Sequence, residues 1–191
     1  EKFCGLVNRC YCVDMGLKIA DLVICLDFNA RSRTDDMEAA LEACTAPRVL
    51  IDHHLNPSIA CQVCVSHPNM SSASELVFRV AWQLGLFEQL GRHFATAVYC
   101  GMMTDTGGFT FNSNSPETFY IISQLLTKHI NKDKIYRNVY HNYSESRLRL
   151  VGHVLCNRLV VDAKRHAAYY TLTREDQKNF KFIKGDAEGI V

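Results

Sequence analysis

Apolar and polar positions fall into two regimes along this chain. Residues 22 to 26, Leu-Val-Ile-Cys-Leu, are an unbroken apolar run ending at Asp27, the pattern of a parallel strand buried on both faces. Arg48-Val49-Leu50-Ile51 repeats the pattern and ends at Asp52, and residues 61–66 give a third candidate strand. Between the first two, a polar stretch with Ser32, Thr34 and Asp35 leads into a short helix over 37–42. The spacing then turns helical. Ser72 followed by Glu75 is a capping-box pattern, and Leu76, Val77, Val80, Ala81 and Leu84 recur at helical intervals before Gly85, a candidate C-cap. A helix should run from about Arg92 to Met102, and another opens at Ser115-Pro116, with Ser as N-cap and Pro in the first turn. Helical pattern continues over 132–141 and 144–157. Residues 158–161 and 167–172 read as two strands flanking a polar turn, a hairpin of a different character.

This order predicts an α/β fold, a doubly wound and mainly parallel sheet, followed by a helical linker and the start of a second α/β domain. The expected boundaries are 1–130 for the first domain, 131–158 for the linker and 159–191 for the opening of the second. Glu1 is not a methionine, and Gly189-Ile190-Val191 stops in mid-pattern, so flanking parts are expected on both sides.

With 48% hydrophobic residues among 191, the chain can bury one good-sized core. Its 21 basic and 20 acidic residues leave a formal charge of +1, so no bulk field draws it onto duplex nucleic acid or a membrane. No apolar run nears the roughly 18 residues of a membrane helix, and no signal peptide is evident, which reads as a cytoplasmic protein. Nine cysteines include Cys10-x-Cys12 and Cys61-x-x-Cys64. Cys25, Cys61, Cys64 and Cys100 sit in apolar, strand-like or core-like runs, so buried free thiols are the reading preferred over a zinc site.

Candidate chemistry gathers at element ends. Asp27 ends one predicted strand and Asp52-His53-His54 ends the next, so both should emerge on the edge where open parallel sheets bind ligands. Asp105 follows the apolar run 98–103 within Thr104-Asp105-Thr106-Gly107-Gly108, whose glycines let backbone approach a bound group. Carboxylates and imidazoles together suit manganese, iron, cobalt or zinc better than calcium. If one carboxylate bridges two ions about 3.5–4 Å apart, the pair can acidify a shared water and offset charge on a phosphate in flight. Each part also has an ordinary reading: a strand-end aspartate caps or turns, adjacent histidines sit in a loop, and Thr-Asp-Thr-Gly-Gly is a turn.

Asp52-His53-His54 resembles the tripeptide that gives the DHH phosphoesterase family its name. Residues 20–27 with Arg33, Ser72-Ala73-Ser74-Glu75-Leu76-Val77-Phe78, and Gly101-Met102-Met103-Thr104-Asp105-Thr106-Gly107-Gly108-Phe109 follow that family's later motifs in order. Tyr143-Ser144-Glu145-Ser146-Arg147-Leu148-Arg149-Leu150 and Gly185-Asp186-Ala187-Glu188-Gly189 are similar to the linker and second-domain opening of its NrnA branch. The resemblance implies that Asp27 bridges two metals, with His53 and Asp105 completing one site. His54 would face the substrate phosphate or leaving group, and Asp52 would orient a histidine. Arg33 matches a family arginine that contacts substrate, or makes a surface salt bridge; Ser72 and Ser74 contact a phosphate, or serve the helix start. The other histidines read as ordinary, and Trp82 as core packing. The family's first motif, His-x-x-x-Asp-x-Asp, and the Gly-Gly-Gly-His segment of its second domain are absent here, so this chain is expected to hold at most one ion, weakly, and to be incomplete for catalysis.

The branch implies a phosphodiesterase and phosphatase acting on short oligoribonucleotides and on 3′-phosphoadenosine 5′-phosphate. It implies two Mn2+ ions in the intact enzyme, with Mg2+ or Co2+ as substitutes. A RecJ-like single-strand exonuclease, a pyrophosphatase and a non-catalytic nucleotide-binding module are the alternatives. The partners expected are a short RNA or a nucleotide bisphosphate as substrate, no membrane, and a second copy of the chain as a candidate homodimer.

Overall fold

The computed structural model describes residues 16–191 except 142, 184, 188 and 191. Strands β1 (Val23–Leu26), β2 (Arg48–Asp52) and β3 (Val63–Ser66) form one parallel sheet in the order β1-β2-β3. Cys25 stands beside Leu50, and Leu50 beside Cys64. Strand side chains alternate between faces. Cys25 and Leu50 therefore share one face, and both are buried there against Leu41 and Ile59. The connection from β1 to β2 is a 3-10 stretch (Arg31–Met37), broken at Asp35, followed by α1 (Glu38–Ala43).

The sequence predicted β1 as buried on both faces, and the structure corrects this. Ile24 and Leu26 are 54% and 46% exposed, because α1 and the loop at Ile59 cover only the Cys25 face of this strand. On β2, Ile51 lies on the face opposite Leu50 and is buried too, and α2 (Ala73–Gln83) packs against this strand. Among the described residues, the sheet is thus covered on both sides at β2 and on one side at β1.

Helices α2, α3 (Arg92–Asp105) and α4 (Pro116–Thr127) pack on one another, and α5 (Lys132–Tyr140) follows. Ser72 Oγ accepts the Glu75 N–H at 3.0 Å and Ser115 Oγ accepts that of Glu117 at 3.2 Å, so both predicted N-caps form. Only half of the predicted capping box is present at α2, since the Glu75 carboxylate turns to Ser71 rather than back to the Ser72 N–H. Gly85 takes a left-handed φ of 68° just after α2, as a helix-ending glycine should. Trp82 packs on Phe78 and Phe87, with ring centroids 5.5 and 5.2 Å away, but keeps 40% of its surface exposed.

The chain divides into two compact units, one ending at Ile135 and one starting at Tyr136. The second holds α6 (Glu145–Asn157), the antiparallel hairpin of β4 (Val160–Asp162) and β5 (Ala167–Tyr169), and α7 (Arg174–Asn179). Asp176 is buried in it, closes a capping box with Thr173 and accepts from Arg158 Nη2 at 3.0 Å. His153 Nε2 lies 3.0 Å from the same oxygen, off the line of a hydrogen bond. Arg158, then the Thr173 N–H, hold this carboxyl well below the usual range. Among the described residues no helix is long and apolar enough to cross a membrane.

Candidate metal centre

β1 delivers Asp27 and β2 delivers Asp52, His53 and His54 at the same edge, because the strands are parallel and in register. The Asp27 N–H extends the ladder to Ile51 O at 3.1 Å, and its backbone then turns left-handed, φ 64°. Asp and Asn tolerate that conformation better than other residues carrying a Cβ. The third carboxylate arrives differently. α3 runs three residues beyond its predicted end, so Asp105 is the last residue of a helix.

These groups converge on one imidazole. His53 Nε2 lies 3.5 Å from Asp27 Oδ1 and 3.7 Å from Asp105 Oδ2. His53 Nδ1 lies 3.3 Å from the Met70 carbonyl, which can only accept, so a ring that donates from Nδ1 has its Nε2 lone pair available to a cation held beside the two carboxylates. His54 Nδ1 lies 2.7 Å from Asp52 Oδ1 and 3.9 Å from Asp27 Oδ1. With Asp52 ionised, its carboxylate accepts from His54 and leaves that ring's Nε2 free. Asp27, His53 and His54 each offer a ligand atom within 4.8 Å of the others.

The electrostatics fit a cation. Asp105 is pushed above the ordinary carboxylate range, first by burial and then by the neighbouring charge of Asp27, while His53 and His54 pull it down. It also stands at the negative end of α3. Among the described residues neither Asp27 nor Asp105 is ion-paired with a lysine or arginine. Asp52 is fully buried, and among the described residues its Oδ2 has no hydrogen-bond partner. A buried, unmatched carboxylate oxygen beside two further carboxylates and two imidazoles is a donor set that suits a divalent transition metal.

The remaining candidates lie around this centre. Arg33 is exposed, its Nη1 donating to Asn29 Oδ1 at 3.4 Å. Asn29 Nδ2 in turn donates to Leu55 O at 2.7 Å, which ties the loop after Asp27 to the loop after His54. Ser74 packs against Gly101, where any Cβ would collide with its hydroxyl. Cys25 is buried and Cys100 half-buried, and burial raises both thiols. Cys61 and Cys64 are free as expected but not buried, Cys61 being half-buried and Cys64 exposed, and Cys10 and Cys12 lie outside the described residues.

Sequence reasoning missed two groups. Buried Thr106 accepts the Phe109 N–H at 3.0 Å and donates to Met102 O at 2.7 Å, fixing the turn after Asp105. The Met70 carbonyl has no side-chain signature at all. A recess of about 450 Å³ opens beside Met70 and Ser71 rather than over the carboxylates.

The chain is similar to proteins already known. Residues 3–102 match the model of the DHH family, N-terminal domain. Over 172 residues the chain is 28% identical to a Streptococcus mutans protein described as a probable bifunctional oligoribonuclease and PAP phosphatase NrnA, covering 89% of this chain and 52% of that protein. An uncharacterised Mycoplasma pneumoniae protein is 32% identical over 92 residues, 48% of this chain and 28% of its own length. The crystal structure of an exopolyphosphatase-related protein from Bacteroides fragilis superposes with a TM-score of 0.91 at 49% identity, over 96% of this chain and 54% of that one. The chain therefore spans about half the length, or less, of these proteins. With the Asp52-His53-His54 tripeptide closing β2 and the family model covering more than half of the chain, this protein belongs to the DHH family.

Proposed function

We propose that this chain carries the metal-binding half of a phosphoester hydrolase acting on short oligoribonucleotides and on 3′-phosphoadenosine 5′-phosphate. One observation carries the reading: His53 Nε2 faces both Asp27 and Asp105, while the Asp52 carboxylate holds His54 through Nδ1. In this reading Asp27, His53 and Asp105 hold divalent ions, Mn2+ first, with Mg2+ or Co2+ as substitutes. Bound there, the ions would acidify a water and offset the charge of a phosphate in flight. His54 Nε2 moves a proton at the phosphate or leaving oxygen, and Asp52 holds the ring for that task. Arg33 and Ser74 are the proposed substrate contacts, Arg33 as the charge that meets a phosphate and Ser74 as a hydroxyl whose place is set by Gly101.

The similarity to the NrnA-named protein over 89% of the chain supports the short-RNA substrate, and so does a net charge of +1. A long single strand is held by a basic groove with stacking aromatics, each stacked base adding about 1–3 kcal/mol. The motif segments read as lacking such a track. We further propose residues 1–130 as the metal-binding domain, 131–158 as linker and 159–191 as the opening of a substrate-binding domain, in a cytoplasmic protein. The Bacteroides fragilis relative favours a second reading, hydrolysis of a phosphoanhydride chain by the same groups.

The test is a kinetic series at one salt concentration, on a chain carrying the flanking regions its relatives have. Ribonucleotide dimers to pentamers should give a higher kcat/KM than a twenty-nucleotide strand, and 3′-phosphoadenosine 5′-phosphate should release phosphate. Faster cleavage of the long strand would point to a RecJ-like exonuclease, preference for polyphosphate or pyrophosphate to the second reading, and binding without any hydrolysis to a nucleotide-binding module.

A further inference from the structure

Behind His53 a single peptide group links the metal edge to a buried carboxylate. The carbonyl of that peptide, Met70 O, meets His53 Nδ1 at 3.3 Å and also accepts from Asn112 Nδ2 at 3.4 Å. Its N–H, on Ser71, donates to Glu75 Oε2 at 3.2 Å, and the Ser71 hydroxyl donates to the same oxygen at 2.5 Å. The other carboxylate oxygen, Oε1, accepts from Arg79 Nε at 3.0 Å and Nη2 at 2.6 Å. Glu75 is only 2% exposed.

A peptide group is planar and trans, so its N–H and C=O point in opposite directions, and fixing one fixes the other. Glu75 holds the Ser71 N–H and thereby aims the Met70 carbonyl at His53. The aim matters because a hydrogen on Nδ1 leaves Nε2 as the nitrogen that can offer a lone pair to a cation held beside Asp27 and Asp105. A charge on the N–H side also polarises the peptide and strengthens its carbonyl as an acceptor. Helix capping does not explain this arrangement. Ser72 already caps α2 through the Glu75 N–H, and in a reciprocal box the carboxylate would bond the Ser72 N–H, whereas here it reaches one residue further back. Burying a carboxylate is costly unless it is paired, and this one has four hydrogen bonds, two from Arg79 one helical turn away.

Resting on the metal reading of His53 given above, we propose that Glu75 is a positioning residue, acting through the Met70–Ser71 peptide to set the tautomer and aim of the His53 ring. The experiment uses this chain with Glu75→Gln and Glu75→Ala, and reads three quantities. Long-range proton–nitrogen NMR of the metal-free protein, at a pH where the spectrum shows the ring neutral, gives the His53 tautomer, calorimetry with manganese gives affinity, and thermal unfolding reports the fold. In the unsubstituted protein His53 should carry its hydrogen on Nδ1. Both variants should shift the ring toward a mixture of tautomers and weaken manganese by about 10–100-fold, the range seen when a partner behind a metal ligand is lost. The alanine variant should be the stronger. Should Glu75→Ala fail to fold, Glu75→Gln decides alone. A His53 ring that keeps its Nδ1 hydrogen in every folded variant overturns the proposal, whatever happens to the melting temperature. If the unsubstituted protein takes up no manganese, the metal reading falls, while the tautomer still judges Glu75.

Discussion

Asp27 leaves β1 in a left-handed conformation and sets its Oδ1 3.5 Å from His53 Nε2. The strain and the contact belong together: an aspartate held where most side chains are unfavourable places its carboxylate against an imidazole nitrogen. Asparagine accepts the same backbone. Asp27→Asn should therefore leave the melting temperature within a few degrees while lowering manganese affinity by more than the roughly 10–100-fold expected for an outer partner. Asp27→Ala should lose the metal equally and about 1–2 kcal/mol of stability besides. Calorimetry and thermal unfolding of the two variants check both halves.

Asp105 makes the pH dependence of the metal-free protein predictable in sign. Its carboxyl is raised by burial and by Asp27, so the folded state keeps this proton at a pH where the unfolded chain has lost it. Stability from this group is therefore present at low pH and declines as pH rises from the ordinary carboxylate range through the raised folded value. Asp105→Asn should flatten that decline and raise the metal-free melting temperature near neutral pH, by about 2–4 °C for each kcal/mol of repulsion relieved. With manganese present the order should reverse, the unsubstituted protein being the one stabilised. Melting curves over pH, with and without manganese, are the measurement.

The two histidines are expected to fail differently. In a chain carrying the flanking regions of its relatives, His53→Ala should reduce metal occupancy. His54→Ala should keep the metals and lower turnover by about 10²–10³, typical for losing one stabilising group. Metal analysis beside steady-state kinetics separates the two; loss of metal from the His54 variant alone would reverse the roles.

Gly101 has no room for a side chain, since a Cβ there would collide with Ser74 at the contact of α2 with α3. Gly101→Ala should cost about 1–3 kcal/mol by overpacking, despite alanine's better helix propensity. Gly101→Ala combined with Ser74→Gly should recover most of the loss. Denaturant unfolding of the single and double variants measures it.

Much of this molecule is written in local pattern. Runs of apolar residues ended by Asp27 and Asp52, caps at Ser72 and Ser115, and the hairpin around 162–166 are set by neighbours within a few positions, which is the range over which backbone hydrogen bonds of a turn, cap or strand operate. The parallel pairing of β1 with β2 then brings the two strand ends to one edge, so Asp27 and His53 were legible as partners. Tertiary structure decided the rest. The extension of α3 to Asp105, the open face at Ile24 and Leu26, and the diversion of Glu75 from Ser72 to Ser71 depend on what packs against each segment. The clearest case is the carbonyl that aims His53, which belongs to Met70, 17 residues away. A backbone oxygen is chemically the same in every residue, so its role comes from position alone, and position is fixed only when the chain folds.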